Sequence, residues 1–237
     1  SKNVSGVGVA AAIEFAKQGA KVLVVDMDEA AAKTSVEVIT ENGGEASYFV
    51  ADVSKVSDCQ GMVEAAVERF GKLDILMNNV GVIIGSGVVT EIEEDSWDRM
   101  LDINLKSMVF ISKYAVAAMI ESGGGSIINI SSVDGIRAGM GHSVSYSASK
   151  GGVIPLTMAM AVEHGRDNVR VNCINAGHFL TPRRVRNESA ERRAKSLAEI
   201  QIGRFGEPAD IAAAAVYIAS DAGAFFNASY LDLNGGT

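Results

Sequence analysis

Residues 1–26, SKNVSGVGVAAAIEFAKQGAKVLVVD, decide the fold. A glycine-bearing loop at 1–8 leads into an apolar stretch of helical length at 9–18, and a short apolar strand follows at 21–25. Backbone N–H groups and the helix dipole favour an anion at such a loop. The pattern therefore predicts a pyrophosphate-binding loop at Gly6, Val7 and Gly8.

The rest of the chain alternates strands and helices. Predicted helices occupy residues 27–41, 56–70, 96–120, 146–164 and 208–220, and predicted strands occupy 46–50, 73–77, 126–130, 169–174 and 230–233. Strands separated by helices of this length pair in parallel through right-handed crossovers. We predict an α/β fold, a doubly wound parallel sheet of Rossmann type, in a single domain over residues 1–237.

One strand of that fold is missing from the pattern. In a doubly wound sheet the strand before the glycine loop is central, but no strand precedes residues 1–8. We expect this strand in the natural protein, and a gap of about 9.6 Å in the sheet without it.

Composition narrows the function classes. The 237 residues are 48% hydrophobic and carry a net charge of −8, whereas a nucleic-acid binder has a basic balance. The sequence contains no run of about 18 apolar residues, so it predicts no membrane span. Residues 1–8 do not resemble a secretory signal. Cys59 and Cys173 have apolar neighbours, which predicts buried free thiols. With three histidines and no Cys/His cluster, we expect no metal site and a soluble cytoplasmic protein.

Polar or glycine residues follow each predicted strand at its carboxyl end, where doubly wound sheets bind ligands. Asp26 follows the strand at 21–25, 18 residues after Gly8, a spacing that suits the adenosine ribose hydroxyls of NAD. The alternative role of capping a helix fits Asp28 better. The next strands end at Asp52 and Val53, which suit an adenine amino group, and at Asn79, Val80 and Gly81.

Tyr146 and Lys150 are four residues apart and therefore lie on one face of a helix. Hydride transfer at a carbon requires a proton to move on the attached oxygen, and a free tyrosine, of pKa about 10, is a poor base at neutral pH. A positive charge about 4.5 Å away contributes roughly 3.7 kcal/mol towards lowering that pKa. The spacing predicts Tyr146 as the acid–base group and Lys150 as its activator.

These motifs together resemble the short, single-domain branch of the short-chain dehydrogenase/reductase family, over essentially the whole chain. The family's Thr-Gly-x-x-x-Gly-x-Gly loop corresponds to residues 1–8, where Gly6 and Gly8 match but Ser1 and Lys2 depart. Further matches are NNVG at 78–81, AGHFLT at 176–181, GRFGEP at 203–208 and LNGG at 233–236. The resemblance implies an oxidoreductase that interconverts a secondary alcohol and a ketone.

The resemblance also assigns roles to single residues. It implies that Tyr146 and Lys150 are catalytic and also contact the cofactor. It further implies that Ser132 polarises the substrate oxygen, although Ser132 lies one residue further from Tyr146 than in the family. Ser131 is the poorer match, and Val133 cannot donate a hydrogen bond. Asn104 matches an asparagine that steadies a water beside the lysine. Gly177, the Phe179 backbone and Thr181 are implied to hold the nicotinamide carboxamide.

The segment 181–202 covers the substrate in this family, and we call it the lid. Six basic and two acidic residues give residues 183–195 a charge of +4, which suits an anionic substrate or cofactor phosphates but also a solvated amphipathic helix. His142 and Met140 are expected to line the pocket. Apolar surfaces on the helices at 96–120 and 146–164 predict a second contact face and, with the resemblance, a homotetramer.

Two alternatives remain open. The first is an NADP-dependent carbonyl or 3-oxoacyl reductase, which Lys2 supports, whereas Asp26 and the acidic residues after it favour NAD by at least about tenfold. The second is a dinucleotide-binding sensor or scaffold without chemistry. Such a protein should lack Tyr146, Lys150 or the serine, and this chain keeps all three. We expect a small-molecule partner, with no nucleic acid and no membrane.

Overall fold

The computed structural model describes residues 6–85, 88–137 and 144–237. Helices and strands alternate along most of this chain, as the sequence predicts. The α-helices are α1 (Val7–Lys17), α2 (Glu29–Glu41), α3 (Val56–Phe70), α4 (Glu94–Leu101), α5 (Ser107–Glu121), α6 (Val144–His164), α7 (Pro182–Asn187), α8 (Ala190–Glu199) and α9 (Pro208–Ala219). The strands are β1 (Val22–Asp26), β2 (Ala46–Val50), β3 (Ile75–Asn78), β4 (Gly125–Ser132), β5 (Val169–Ala176) and β6 (Tyr230–Leu233).

All pairs of neighbouring strands are parallel. The order is β1-β2 in one sheet and β3-β4-β5-β6 in the other. The division falls between β1 and β3, where the sequence predicts the gap. β4 is buried from its second residue to its end, whereas β1, β2 and β3 are mostly half-buried.

Helices cover both faces of the larger sheet. Ile128 and Ile130 of β4 pack in one core cluster with Ile211 and Ile218 of α9. Ile127, the residue before Ile128 on the strand, packs with residues of α5 and α6 on the opposite face. This alternation follows from the period of two in a strand, and it holds the carboxyl end of β4 rigidly between two layers.

A long helical stretch, Glu94–Glu121, combines α4, a π-helical turn at Asp102–Lys106 and α5. By length and composition, this stretch is the one candidate for a membrane span within the described residues. The search of the sequence for uninterrupted apolar residues overlooked it. Half of its apolar window is buried inside the protein, and Ile111, Ala115 and Met119 pack in the core, as in the core helix of a globular domain.

The lid folds into α7 and α8, which the sequence analysis left without defined helices. Thr181 and Ser189 precede these helices, and each side chain accepts a hydrogen bond from a backbone N–H of the first turn. Such capping residues predict a helix start, so this signal was available in the sequence. Cys59 and Cys173 are buried free thiols, as predicted.

Candidate active site

Two glycines bring β4 and α6 together at the carboxyl edge of the sheet. Gly135 lies in the 3-10 turn that follows Ser132, and a Cβ on it would lie 2.8 Å from the Gly151 nitrogen and from the Lys150 carbonyl carbon. Backbone atoms therefore fill the space that a side chain would need. This close approach places the end of β4 beside the first turns of α6, which carry Tyr146 and Lys150. Sequence reasoning did not single out either glycine.

The two adjacent serines at the end of β4 have different partners. The Ser131 hydroxyl donates to the Lys150 carbonyl at 2.7 Å and so ties β4 to α6. The Ser132 hydroxyl accepts from the Asp134 N–H at 3.2 Å, lies 3.3 Å from the Asp134 carboxylate, and forms a hydrogen bond with Tyr146. Of these two serines, Ser132 is the one that interacts with Tyr146.

This difference yields a prediction for paired variants. Ser132→Ala removes the hydroxyl beside Tyr146, and we expect turnover to fall by about 10²–10³, as for other donors to a reacting oxygen. Ser131→Ala removes a tie between backbone segments and should cost about 1 kcal/mol of stability while turnover falls less than tenfold. Steady-state kinetics and thermal unfolding of both variants measure this; a larger loss of turnover in Ser131→Ala would contradict the assignment.

Tyr146 lies in the first turn of α6 and holds its proton at neutral pH. Burial is the largest influence and raises its pKa above the usual value, and the Asp134 carboxylate acts in the same direction. The hydrogen bond with Ser132 and the charge of Arg183 oppose the rise. A buried phenol of this kind is prepared to donate a proton to a substrate oxygen.

Lys150 is almost fully buried, at 3% exposure. Its Nζ donates to the Ile130 carbonyl at 2.8 Å, and burial lowers its pKa to about 8. The sequence analysis expected its charge to lower the pKa of Tyr146, but within the described residues the groups that do so are Ser132 and Arg183. Lys150 can instead exchange a proton near neutral pH.

Asn104 shapes the wall beside Lys150. It lies in the π-helical turn, fully buried, and its side chain accepts from the Val82 N–H at 2.8 Å and donates to the Val82 carbonyl at 2.9 Å. This pair fixes the loop after β3, in which a Cβ on Gly81 would lie 3.1 Å from the Lys150 Nζ. Asn104 is thus a positioning residue for the loop, and π-turns of this kind are frequent at functional sites.

The candidate adenosine site lies at the ends of β1 and β2. Asp26 is exposed at the end of β1, and one carboxylate oxygen accepts from the Asp28 N–H at 2.9 Å. Asp28 caps α2 by accepting from Ala30 and Ala31, as the sequence predicts. Asp52 follows β2, and its hydrogen bonds with Ser54 hold its pKa below the usual value. Val53 beside it is half-buried.

The glycine loop and the end of β3 meet at close range. A Cβ on Gly8, in the first turn of α1, would lie 2.8 Å from the Asn79 side-chain nitrogen, so a side chain there would displace the Asn79 amide. Gly6 precedes α1 as its N-cap, next to Val7. The helix N-terminus offers backbone N–H donors, and the exposed carboxylate at the next strand end offers a hydrogen-bond acceptor. Together these groups fit a dinucleotide. Val80, 41% exposed, borders this space.

The segment after β5 forms the third wall. A Cβ on Gly177 would lie 2.6 Å from the Asn234 Cα, so this glycine permits close packing of backbone. Phe179 bridges Gly206 in parallel through the His178 carbonyl and the Leu180 N–H, which leaves the Phe179 N–H outside that pair. Thr181 caps α7 through its hydroxyl, which accepts from the Arg184 N–H at 3.3 Å.

Several predicted residues fall outside the described chain. Ser1 and Lys2 of the opening loop, and Met140 and His142 before Tyr146, are among them. In the ranges that are described, no group of three or more His, Cys, Asp or Glu side chains has the arrangement of a metal site.

Sequence reasoning placed Arg183 in the basic lid but did not predict that it, or Asp134, would act on Tyr146. Asp134 is buried at 7% exposure and Arg183 is exposed on α7, yet both influence the pKa of the tyrosine. They are far from Tyr146 along the chain, and no periodicity or spacing predicts their meeting. The signal for Arg183 was its place in the basic lid; the signal for Asp134 was an acidic residue two positions after Ser132.

Comparison with known proteins agrees with this geometry. Residues 2–237 match the family model described as enoyl-(acyl carrier protein) reductase. A 2-(S)-hydroxypropyl-CoM dehydrogenase from Xanthobacter autotrophicus is 35% identical over 98% of this chain and 92% of its own length. A 3-oxoacyl-[acyl-carrier-protein] reductase from Thermotoga maritima is 32% identical, with 98% and 93% covered. A Burkholderia xenovorans structure described as a short-chain dehydrogenase/reductase has a TM-score of 0.92, 34% identity, and coverage of 98% and 90%.

Proposed function

The chain belongs to the short-chain dehydrogenase/reductase family, and from that premise we propose that it transfers a hydride between NAD and a secondary alcohol or ketone. Members of this family are NAD(P)-dependent oxidoreductases, so the enzyme class follows from the family. The choice of NAD, the substrate class and the roles of single residues are the proposal.

The observation that carries the proposal is the meeting of Tyr146, Ser132 and Lys150 at one strand end. Tyr146 and Ser132 share a hydrogen bond, and Lys150 is buried one helical turn further along α6. A purely structural tyrosine would not require a buried lysine of pKa about 8 on the same helix face. The arrangement suits proton transfer on a carbon-bound oxygen.

The chain's own residues divide the work. The pyrophosphate and ribose would be held by Gly6, Val7, Gly8 and Asp26, and the adenine by Asp52 and Val53. The nicotinamide half would be held by Asn79, Val80, Gly81, Gly177, Phe179 and Thr181. A bound NAD would supply the hydride acceptor for alcohol oxidation, and its reduced form the hydride donor for ketone reduction. Tyr146 moves the proton on the substrate oxygen, Ser132 donates a hydrogen bond to that oxygen, and Lys150 supplies or takes up the proton near neutral pH.

A screen for oxidation and reduction tests this function directly. Purified protein would be given NAD or NADP with cyclic, aliphatic and sugar-type secondary alcohols, and the reduced cofactors with the matching ketones. We expect turnover with at least one pair, measured by the absorbance of the reduced nicotinamide. A Ser132→Ala variant serves as the matched control. Equal rates in this variant would show that the activity arises elsewhere.

Asp26 supports the preference for NAD. Its exposed carboxylate would oppose the extra phosphate of NADP, and the residues that follow are Met27, Asp28 and Glu29. Lys33, one turn into α2, is the nearby cation that sequence reasoning overlooked. Its ammonium pairs with Glu29 at 2.9 Å, which engages it away from a bound phosphate.

We expect wild type to favour NAD over NADP by at least about tenfold in kcat/KM. Asp26→Ala should narrow this gap, chiefly through weaker binding of NAD, because the ribose hydroxyls lose their acceptor. Kinetics with both cofactors and one accepted alcohol measure the change, and Asp28→Ala, which removes only a helix cap, is the control. A wild type that uses NADP equally well would refute the role of Asp26.

The second candidate is an NADP-dependent reductase of 3-oxoacyl or other carbonyl substrates. The similarity to the Thermotoga maritima 3-oxoacyl reductase favours it. The same cofactor comparison separates the two candidates, because such an enzyme would use NADPH better than NADH. A sensor or scaffold without chemistry is the outcome if no pair of cofactor and substrate is turned over.

We also propose that the protein acts as a cytoplasmic homotetramer. Val109 on α5 and Val162 on α6 are exposed, the latter at 78%, which leaves apolar surface on the helices predicted to form contacts between subunits. Light scattering at micromolar concentration is expected to give four times the mass of 24.8 kDa. A monomeric mass would contradict the proposal.

A further inference from the structure

Two neighbouring arginines of the lid have different surroundings. Arg184 is largely buried: its Nε lies 3.0 Å from the Glu188 carboxylate, its Nη2 lies 2.9 Å from the His178 ring, and its guanidinium stacks over Phe205. These contacts hold α7 to the segment after β5. Arg184 is therefore committed to the structure of the lid.

Arg183 is exposed, and its one hydrogen bond to the described part of the chain is a weak one, to the Ile83 carbonyl at 3.5 Å. Ile83 lies in the loop after β3 that Asn104 fixes beside Lys150, so the guanidinium extends from the lid to the opposite wall of the site. Its charge acts on Tyr146. Within the described ranges, no carboxylate lies within ion-pair distance of it.

We propose that Arg183 binds an anionic group of the substrate, so that this enzyme prefers secondary alcohols and ketones that carry a carboxylate, sulfonate or phosphate. This inference rests on the proposed function. A guanidinium suits all three groups because its donors match their paired oxygens. The positive charge of Arg183 also favours the approach of an anionic ligand. The chain carries −8 overall and would otherwise repel such a ligand.

Asp134 is the opposing charge at this site. It is buried at 7% exposure behind Ser132, and its carboxylate lies 3.3 Å from the Ser132 hydroxyl. Arg183 approaches from the lid, and its charge acts on Tyr146 in the direction opposite to that of Asp134. An anionic group on the substrate therefore fits on the lid side of the reacting oxygen, away from Asp134, and Arg183 selects its position as well as its charge.

The test compares matched acids and amides. Hydroxycarboxylates of increasing chain length, their carboxamides and the corresponding sulfonates and phosphates would be assayed with NAD and NADP. We expect wild type to prefer the charged member of a pair and Arg183→Gln to lower that preference about ten- to hundred-fold, the range for a hydrogen bond between charged groups. The ratio within a pair cancels any effect of Arg183 on Tyr146. Arg186→Gln, an exposed arginine of the same helix, should leave the ratio unchanged.

A binding experiment separates this inference from the proposed function. Calorimetry would measure the acids and amides on NAD-saturated Tyr146→Phe protein, with and without Arg183→Gln. Tighter binding of an acid that Arg183→Gln abolishes would support the anion site even if no compound is turned over. Equal acid-to-amide binding ratios with and without Arg183→Gln would overturn it. A loss of NAD affinity in Arg183→Gln that is the same with both members of each pair would also overturn it, because Arg183 would then serve the cofactor.

Discussion

Tyr146→Phe is expected to lower turnover by about 10²–10⁴-fold, the usual contribution of a general acid–base group. The substitution removes one hydroxyl and keeps the ring, so the packing of α6 is preserved. The dissociation constant of NAD should change little, because the adenosine and pyrophosphate contacts are assigned to the glycine loop and Asp26. Steady-state kinetics and calorimetry measure both quantities, and retention of more than about a tenth of the wild-type rate would be too much for this role.

The pH dependence of turnover follows from the same tyrosine. Burial raises the pKa of Tyr146 above its usual value, so the phenol is protonated at neutral pH. Alcohol oxidation, which needs a proton acceptor, is therefore expected to accelerate as the pH rises, whereas ketone reduction should proceed well at neutral pH. The Tyr146→Phe variant should lose this difference between the two directions.

Lys150→Met is expected to abolish turnover and, at the same time, to stabilise the protein. Burial lowers the pKa of Lys150 from 10.5 to about 8, which makes its ionised form unfavourable by about 3 kcal/mol. The variant loses the hydrogen bond to the Ile130 carbonyl, worth about 1 kcal/mol. The net gain of about 2 kcal/mol corresponds to a rise in Tm of roughly 4–8 °C for a domain of this size.

The stability gain depends on pH in a defined direction. A basic group whose folded pKa is lowered destabilises the protein fully below that folded pKa, and the penalty disappears as the pH rises to the unfolded pKa. Wild type should therefore gain stability between pH 8 and 10.5, and the advantage of Lys150→Met should shrink over that window. Lys72→Met, which removes an exposed partner of Asp74, should change stability by less than about 0.5 kcal/mol. An equal or lower Tm for Lys150→Met at pH 7 would contradict the destabilising role of the buried charge.

Local patterns explain which parts of the fold the sequence predicts. The helix at residues 56–70 and the strand at 46–50 were placed at their observed bounds, because their apolar spacing matches the periods of helix and strand. The face shared by Tyr146 and Lys150 follows from the helical repeat alone. These features depend on residues that lie close together along the chain, so the sequence alone predicts them.

Contacts between distant segments explain what the sequence does not predict. The direction of Lys150 depends on the Ile130 carbonyl, and the approach of β4 to α6 depends on the bare backbone of Gly135 and Gly151. Both belong to the packing of one element on another. The same is true of Arg183, whose reach to Ile83 spans 100 positions of the chain. These contacts depend on tertiary geometry, and the spacing of residues along the chain does not predict them.

The transfer of deuterium tests the central claim most directly. Secondary alcohols deuterated at the carbinol carbon would be incubated with the enzyme and NAD, and the reduced cofactor analysed by mass spectrometry. Direct hydride transfer predicts one deuterium in each reduced nicotinamide. Tyr146→Phe protein incubated for the same time should form far less of this deuterated cofactor, because its turnover is low. Reduced cofactor without deuterium, or no reduced cofactor with any alcohol of the panel, would contradict the account.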